Sequence, residues 1–129
     1  MIDIADEKHK ILDGTYSSRV IAGRQNKHIE GTREFEQKRE HMERSSPGSM
    51  PAKINQDVDI QKLVDKYKGT GKIYFVDGSP YPREDIFSSA VIGATWIKTK
   101  GKYIDTCMFT IAYSKTGVHI FPKNEKGRV

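Results

Sequence analysis

The sequence predicts an α+β domain in which N-terminal helices pack on a four-stranded, mostly antiparallel sheet. Helix-like patterns occupy the first half of the chain, and short apolar runs separated by glycine-containing turns occupy the second half. Neighbouring runs joined by such short turns are expected to pair as antiparallel hairpins.

The first part of the chain is polar, with few apolar residues at helical spacing. Apolar residues near multiples of 3.6 predict a helix over 4–12 that ends at Gly14. A second helix is expected to begin after the serine pair at 17–18. Residues 33–44 hold strong helix formers but little to bury, which fits a solvated helix and a disordered arm equally well. Prolines and a glycine make 45–51 a loop.

The clearest helix is predicted over 60–67, where apolar residues stand at i, i+3, i+4 and i+7. Asp57 or Asp59 can cap its N terminus, and Gly69 ends it. The glycines at 69 and 71 faintly resemble a phosphate loop, but the upstream glycine of that motif is missing, so this is a helix stop. The strand-like runs that follow are 72–76, 90–98, 103–114 and 118–121.

Composition limits the function classes. The chain has 129 residues and 36% hydrophobic residues, enough for one modest core. Its net charge of +5 is compatible with nucleic-acid binding without identifying it. No apolar run is long enough to span a membrane, and the first ten residues do not resemble a signal peptide. Cys107 is the single cysteine and no zinc motif occurs, so we expect no disulfide, metal or cofactor.

The four histidines are the candidates for proton transfer near neutral pH. His9 and His41 lie in charged helical stretches and are expected to be solvated. His28 follows two cations, Arg24 and Lys27, and precedes a glycine turn. His119 lies near the start of the last strand.

Strand alternation makes a specific prediction about His119. If 115–117 form a three-residue hairpin loop, Tyr113 lies directly opposite His119 with its side chain on the same face. A shift of one residue would destroy this pairing. The alternative is that His119 only satisfies a local hydrogen bond in a half-buried strand.

Metal-independent RNA cleavage needs a base for the 2′-OH, an acid for the departing 5′-oxygen, and groups that stabilise charge on phosphorus. Two histidines with nearby lysines, an arginine and hydroxyls supply the residue types. Spacing alone leaves two other classes open: a non-enzymatic nucleic-acid-binding or phage structural module, and a DNase on the same scaffold. Base stacking could involve Trp96, Tyr103 or Phe121, although each is more often a core residue.

The order of these motifs resembles the polymorphic toxin type 50 family, which comprises predicted RNase toxins at the C-terminal ends of bacterial and prophage proteins. The resemblance covers roughly 22–122. Its motifs are Lys27–Thr32 (KHIEGT), Asp59–Gly71 (DIQKLVDKYKGTG), Val91–Gly93 (VIG) and Tyr113–Pro122 (YSKTGVHIFP).

The resemblance implies a fold of the barnase–EndoU–colicin–RelE-like nuclease group and metal-independent cleavage of RNA, with tRNA as one candidate substrate. It also implies delivery as the C-terminal part of a secreted or phage-packaged parent, action in the cytoplasm of the target cell, and a cognate immunity protein. Separately, we expect a monomer. In this interpretation 1–21 are a lead-in, 22–122 the nuclease domain, 33–51 a charged arm and loop, and 123–129 a tail.

Carried over to this sequence, the family's motifs make His28 and His119 the acid–base pair, without saying which is the acid. Lys27, Ser114 and Tyr113 would assist catalysis. The expected contacts to the substrate phosphate are Arg24, Lys27, Lys115, Thr116 and Thr110. Relatives usually carry a threonine directly before the second histidine. This chain has Val118 there, which is why the two threonines are included.

Overall fold

The computed structural model describes residues 3–125, so residues 1–2 of the predicted lead-in and 126–129 of the predicted tail lie outside the described residues. Within 3–125 the chain forms four α-helices, one short 3-10 helix and seven strands in two antiparallel sheets, which confirms the predicted α+β class. The helices are α1 (Ile4–Leu12), α2 (Ala22–Gln25), the 3-10 helix (Asn26–His28), α3 (Arg33–Ser45) and α4 (Ile60–Tyr67). The strands are β1 (Lys53–Ile54), β2 (Lys72–Tyr74), β3 (Arg83–Phe87), β4 (Gly93–Ile97), β5 (Lys102–Thr106), β6 (Met108–Tyr113) and β7 (Val118–Pro122).

Side-chain caps fix where the helices begin. The Thr32 hydroxyl accepts from the Phe35 amide at the start of α3, so the charged segment is a helix rather than a disordered arm. The Asp59 carboxylate accepts from the Lys62 amide at the start of α4, at 3.1 Å. After α4 the chain turns through Gly69, whose φ of 79° favours glycine.

Two sheets replace the single predicted one. The four-stranded sheet has the order β2-β3-β6-β7, and a second sheet has the order β1-β4-β5. The predicted strand over 103–114 is two strands, because the chain passes from one sheet to the other at Cys107. Thr106 pairs with Gly93 in the second sheet, whereas Met108 pairs with Phe87 in the four-stranded sheet.

Strand β3, a central strand of the four-stranded sheet, is not among the predicted strands. Its sequence, REDIF, hides the alternation because a carboxylate occupies a core position. Glu84 is fully buried and accepts hydrogen bonds from the Gly69 and Gly71 amides and from the Tyr113 hydroxyl. These three bonds satisfy the buried carboxylate and join the turn after α4 to the sheet.

The core lies between the four-stranded sheet and the helices. Alternate residues of β6 and β7, including Phe109, Ile111 and Ile120, are fully buried there with Val64 of α4. Ile11 of α1 is also fully buried in this core, so α1 packs on the domain although it precedes the family-like region.

The outer edge of β7 is covered by the segment that leads into α2. Ile21 donates its amide to the Val118 carbonyl, and Val118 donates to the Arg19 carbonyl, both at 2.8 Å. Residues 19–21 are therefore extended, and α2 begins after Ile21 rather than after the serine pair. Gly117 permits this approach, because a Cβ there would collide with the Arg19 carbonyl.

No helix in the described part of the chain has the length and apolar character required to cross a bilayer.

Candidate active site

His28 and His119 are brought together by the fold. Their ring centroids lie 6.3 Å apart and the ring planes are parallel to within 5°. The Phe121 ring lies beside both, with its centroid 5.7 Å from that of His28 and 5.8 Å from that of His119. Two imidazoles at this separation can reach one phosphodiester, which is the arrangement that acid–base catalysis requires.

His28 is buried at the end of the 3-10 helix, where its Nδ1 lies 3.0 Å from the Ala52 carbonyl oxygen. A carbonyl can only accept a hydrogen bond, so Nδ1 carries the proton and the neutral ring has its lone pair on Nε2. Thr32 holds the preceding turn, because its hydroxyl contacts the carbonyls of Asn26 and Ile29. The KHIEGT motif thus positions one imidazole, and the Ala52 carbonyl fixes its tautomer.

His119 stands on the face of the four-stranded sheet opposite the core, with Phe121 two residues later on the same face. Gln25, at the end of α2, holds this part of β7: its side-chain amide donates to the Ile120 carbonyl at 2.9 Å, and its oxygen accepts from the Ile120 amide at 2.7 Å. Gln25, two positions before the first histidine motif, is therefore bonded to the residue just after the second histidine.

The predicted register of Tyr113 and His119 is wrong by one residue. Tyr113 pairs with Val118, and His119 pairs with Ala112. The reason is the turn, in which Ser114 donates its amide to the Gly117 carbonyl, so the connection holds four residues instead of three. Tyr113 consequently points into the core, where its hydroxyl donates to Glu84 at 2.8 Å.

The other predicted residues of this hairpin lie in its turn. The Ser114 hydroxyl donates to the Gly117 carbonyl at 2.8 Å, which is a local structural bond. Lys115 and Thr116 are exposed, and Thr116 borders a groove on the outer edge of β7 with 19–22. Thr110, in contrast, lies directly opposite Phe121 on the His119 face and is fully buried.

Burial and four cations control the charge of the two histidines. Burial lowers the pKa of His28 to about 4, and Lys38 and Lys27 add to the effect against the Ala52 hydrogen bond. Burial likewise lowers the pKa of His119 to about 4, with contributions first from Arg24 and Arg83 and then from the two lysines. Both imidazoles are therefore neutral in the free protein at pH 7.

Arg24, Lys27, Lys38 and Arg83 have no ion-pair partner among residues 3–125. Arg83 also lies over the Phe121 ring, with its guanidinium carbon 5.5 Å from the ring centroid. Sequence reasoning found Arg24 and Lys27 but missed the other two cations. Arg83 lies on the unrecognised strand β3, and Lys38 is one of many charges on α3.

A polar network continues from Phe121 along the same sheet face. Asp85 accepts from the Tyr74 hydroxyl at 2.9 Å, from the Thr110 hydroxyl at 2.8 Å and from the Lys123 ammonium at 2.6 Å. The predicted tail thus begins with a residue that is ion-paired to the sheet. Thr110 links this network to the site, because it pairs with Phe121, whose ring lies beside both histidines.

Two of the three aromatic candidates for base stacking lie elsewhere. Trp96 and Tyr103 pack on each other across β4 and β5, and their polar atoms donate to the carbonyls of Gly48 and Pro51. They hold the loop after α3. Phe121 alone of the three contacts the histidine pair.

The acidic side chains of 3–125, together with its histidines and cysteine, form no group of three or more arranged to hold a metal ion. The histidines are instead surrounded by cations, which is an environment suited to an anion.

Comparison with known proteins gives one result for the family. No curated protein sequence matches the chain. The model of the family described as bacterial toxin 50 matches residues 20–122, which include both histidines, Gln25 and all seven strands. With most of its length matched to that model, this chain belongs to the bacterial toxin 50 family.

Proposed function

We propose that this toxin domain is a metal-independent endoribonuclease that cleaves RNA by attack of the 2′-OH on the adjacent phosphodiester. The observation that supports this most strongly is the parallel histidine pair at 6.3 Å, surrounded by four cations that have no ion-pair partner among the described residues. The chain's own side chains can supply a base, an acid and the positive charge that the reaction requires.

The tautomer of His28 supports a role for this residue as the base. Because Nδ1 is engaged with the Ala52 carbonyl, Nε2 of His28 can accept the proton of the 2′-OH. The O2′ atom then forms a bond to phosphorus while the bond from phosphorus to O5′ breaks, and protonated His119 gives its proton to O5′. The products are a 2′,3′-cyclic phosphate and a free 5′-OH, and both protons are accounted for.

A bound phosphate changes the protonation of the site in the required direction. In the free protein, burial and the cations keep His119 neutral at pH 7. A phosphodiester among the same cations offsets their charge and raises the pKa values of both histidines. The charged acid is therefore formed more readily once substrate is bound.

The cations have a second role in the transition state, where negative charge collects on the non-bridging oxygens. Arg24 and Arg83 act on His119, and Lys27 and Lys38 act on both histidines, so positive charge is available to the phosphate that the pair would hold. We propose RNA as the substrate, with tRNA as one candidate, and the target-cell cytoplasm as the place where the domain acts. We further propose that the domain is monomeric and is carried by a larger parent. An immunity protein would block this site.

The test is incubation of the purified protein with total RNA in excess EDTA, comparing wild type with His28→Ala and His119→Ala. We expect cleavage by wild type that leaves cyclic phosphate ends, and a loss of about 10²–10⁴ in rate for each variant, the usual effect of one general acid or base. His9→Ala, which removes an exposed histidine of α1, is the matched control and should keep the wild-type rate.

Two results would contradict the proposal. Cleavage that requires added magnesium, or that persists in both variants, would exclude the histidine mechanism. RNA binding without cleavage, in a protein that host cells tolerate, would instead support a non-enzymatic nucleic-acid-binding module.

A further inference from the structure

A groove of about 350 Å³ lies between the 3-10 helix and α3, next to the histidine pair. Its lining residues are Lys27, Glu34, Gln37, Lys38 and His41. Lys27 directly precedes His28, and both groove lysines act electrostatically on both histidines. The groove and the candidate active site therefore share their cations.

Lys38 is the central feature of this groove. It is half-buried, and among residues 3–125 it has no carboxylate partner. Both lysines line the same groove, and burial together with the neighbouring Lys27 lowers the pKa of the Lys38 ammonium group. An anion placed between them would relieve this repulsion.

The remaining lining residues suit a nucleotide rather than a simple ion. The Gln37 amide offers both a donor and an acceptor, and His41 offers a ring for stacking or hydrogen bonding. Glu34 is the single carboxylate of the groove and would oppose a phosphate by its charge. The sequence leaves α3 open as a solvated helix or a disordered arm and predicts a solvated His41; in the structure α3 is a helix, and His41 is exposed at the groove.

We propose that the groove between the 3-10 helix and α3 is a subsite for the nucleotide next to the cleaved bond, with Lys27 and Lys38 binding its phosphate. This inference rests on the proposed ribonuclease function. It makes α3 part of the substrate-binding surface, and it requires that the enzyme prefers a chain with a second phosphate over a substrate that has only the scissile one.

The experiment compares a dinucleoside monophosphate with trinucleotides that carry one further phosphodiester on the 5′ or the 3′ side. The measured quantity is the ratio of kcat/KM for each trinucleotide to that for the dinucleotide, which cancels effects on the scissile phosphate itself. For wild type we expect a gain of about tenfold on one side, the order expected for a charge-assisted phosphate contact. Lys38→Met should remove that gain, and Glu34→Gln should increase it.

Two exposed residues outside the groove provide matched controls, Lys62→Met on α4 and Glu40→Gln on the outer side of α3. Both should keep the wild-type ratio. The same gain in wild type and Lys38→Met, or no gain on either side in wild type, would overturn the subsite.

Binding of an uncleavable trinucleotide of 2′-deoxy residues separates this inference from the proposed function. Lys38→Met should weaken that binding. It should also reduce the slope of the logarithm of the binding constant against the logarithm of salt concentration by about 0.7, the value for one phosphate of a single strand. If wild type cleaves no RNA, the proposed function fails but this binding still tests the groove. Equal affinity and salt slope in wild type and Lys38→Met would overturn it.

Discussion

At His28, one hydrogen bond decides which ring nitrogen can act in catalysis. The Ala52 carbonyl holds the proton on Nδ1, and Nε2 is left as the acceptor. At His119, no such bond fixes a tautomer among the described residues, and its proton is governed by burial and by Arg24 and Arg83. The two imidazoles thus share one site, but a hydrogen bond fixes the tautomer of His28, whereas burial and nearby cations govern the proton of His119.

The lowered pKa values also make a prediction about stability. Each histidine has a pKa of about 4 in the folded protein, against 6.5 for an ordinary histidine, so between these values the unfolded chain binds more protons. Their contribution to the free energy of unfolding is complete above pH 6.5 and is lost as pH falls towards 4. Each group adds up to about 1.4 kcal/mol per pH unit within this window.

Urea unfolding between pH 4 and 7 measures this contribution. The double variant His28→Asn/His119→Gln should show a shallower loss of stability below pH 6.5 than wild type. Asparagine at 28 can keep a donor towards the Ala52 carbonyl, which limits structural disturbance. His9→Gln, at an exposed position, controls for the removal of a histidine. A slope in the double variant equal to that of wild type would show that neither group titrates differently on folding.

Among the elements, α2 and β7 depend on each other through Gln25. Its buried amide makes both a donor and an acceptor bond to Ile120, in the manner of a neighbouring strand. Gln61 of α4 makes a similar pair of bonds, accepting from the Val20 amide and donating to the Ser18 carbonyl. Each glutamine side chain donates to one backbone carbonyl and accepts from one backbone amide, but only Gln25 connects the two segments that carry the histidines.

This difference predicts that Gln25 is a positioning residue. Gln25→Ala leaves a buried amide and a buried carbonyl of Ile120 without partners, which should cost about 2–4 kcal/mol in the free energy of unfolding. It should also lower kcat at least tenfold with little change in KM, because the histidines lose their mutual alignment. Gln61→Ala, the matched control, should destabilise the fold without this loss of kcat. Equal kcat in the two variants, measured where both are folded, would limit Gln25 to a structural role.

The elements also show what the sequence could predict. The helix over 60–67 and its stop are predictable, because an amphipathic stripe and local turn residues encode them, and Asp59 is one of the two predicted caps. Strand β3 was missed because Glu84 occupies a core position, and its three hydrogen-bond partners are visible only in three dimensions. The register of His119 was wrong because the β6–β7 turn holds one residue more than its sequence indicated.

For the whole molecule, the site depends on joining segments that are far apart in the sequence. His28 lies near the N terminus and His119 on the last strand, and the Gln25–Ile120 bonds bridge 95 positions. The motifs indicated both histidines, but no local pattern could show that they meet. Lys38 and Arg83 illustrate the same limit, since each is one charge among many until the fold places it near the pair.

The net charge, like the charged residues, becomes informative only when the fold shows where the cations lie. The formal value of +5 does not distinguish a nuclease from an ordinary basic protein. What matters is that four cations without an ion-pair partner within 3–125, Arg24, Lys27, Lys38 and Arg83, act on the histidine pair. Positive charge is thus available to an anion at the histidines themselves.

The most direct test of the acid–base pair uses an RNA substrate in which sulfur replaces the 5′-oxygen that leaves. A thiolate departs without protonation, because a thiol is far more acidic than an alcohol, so the general acid becomes unnecessary while the general base is still required. We predict that His119→Ala recovers to within about tenfold of wild type on this substrate, whereas His28→Ala stays slower by about 10²–10⁴. Recovery of His28→Ala instead, or the same loss in both variants on both substrates, would contradict the assignment of His28 as base and His119 as acid.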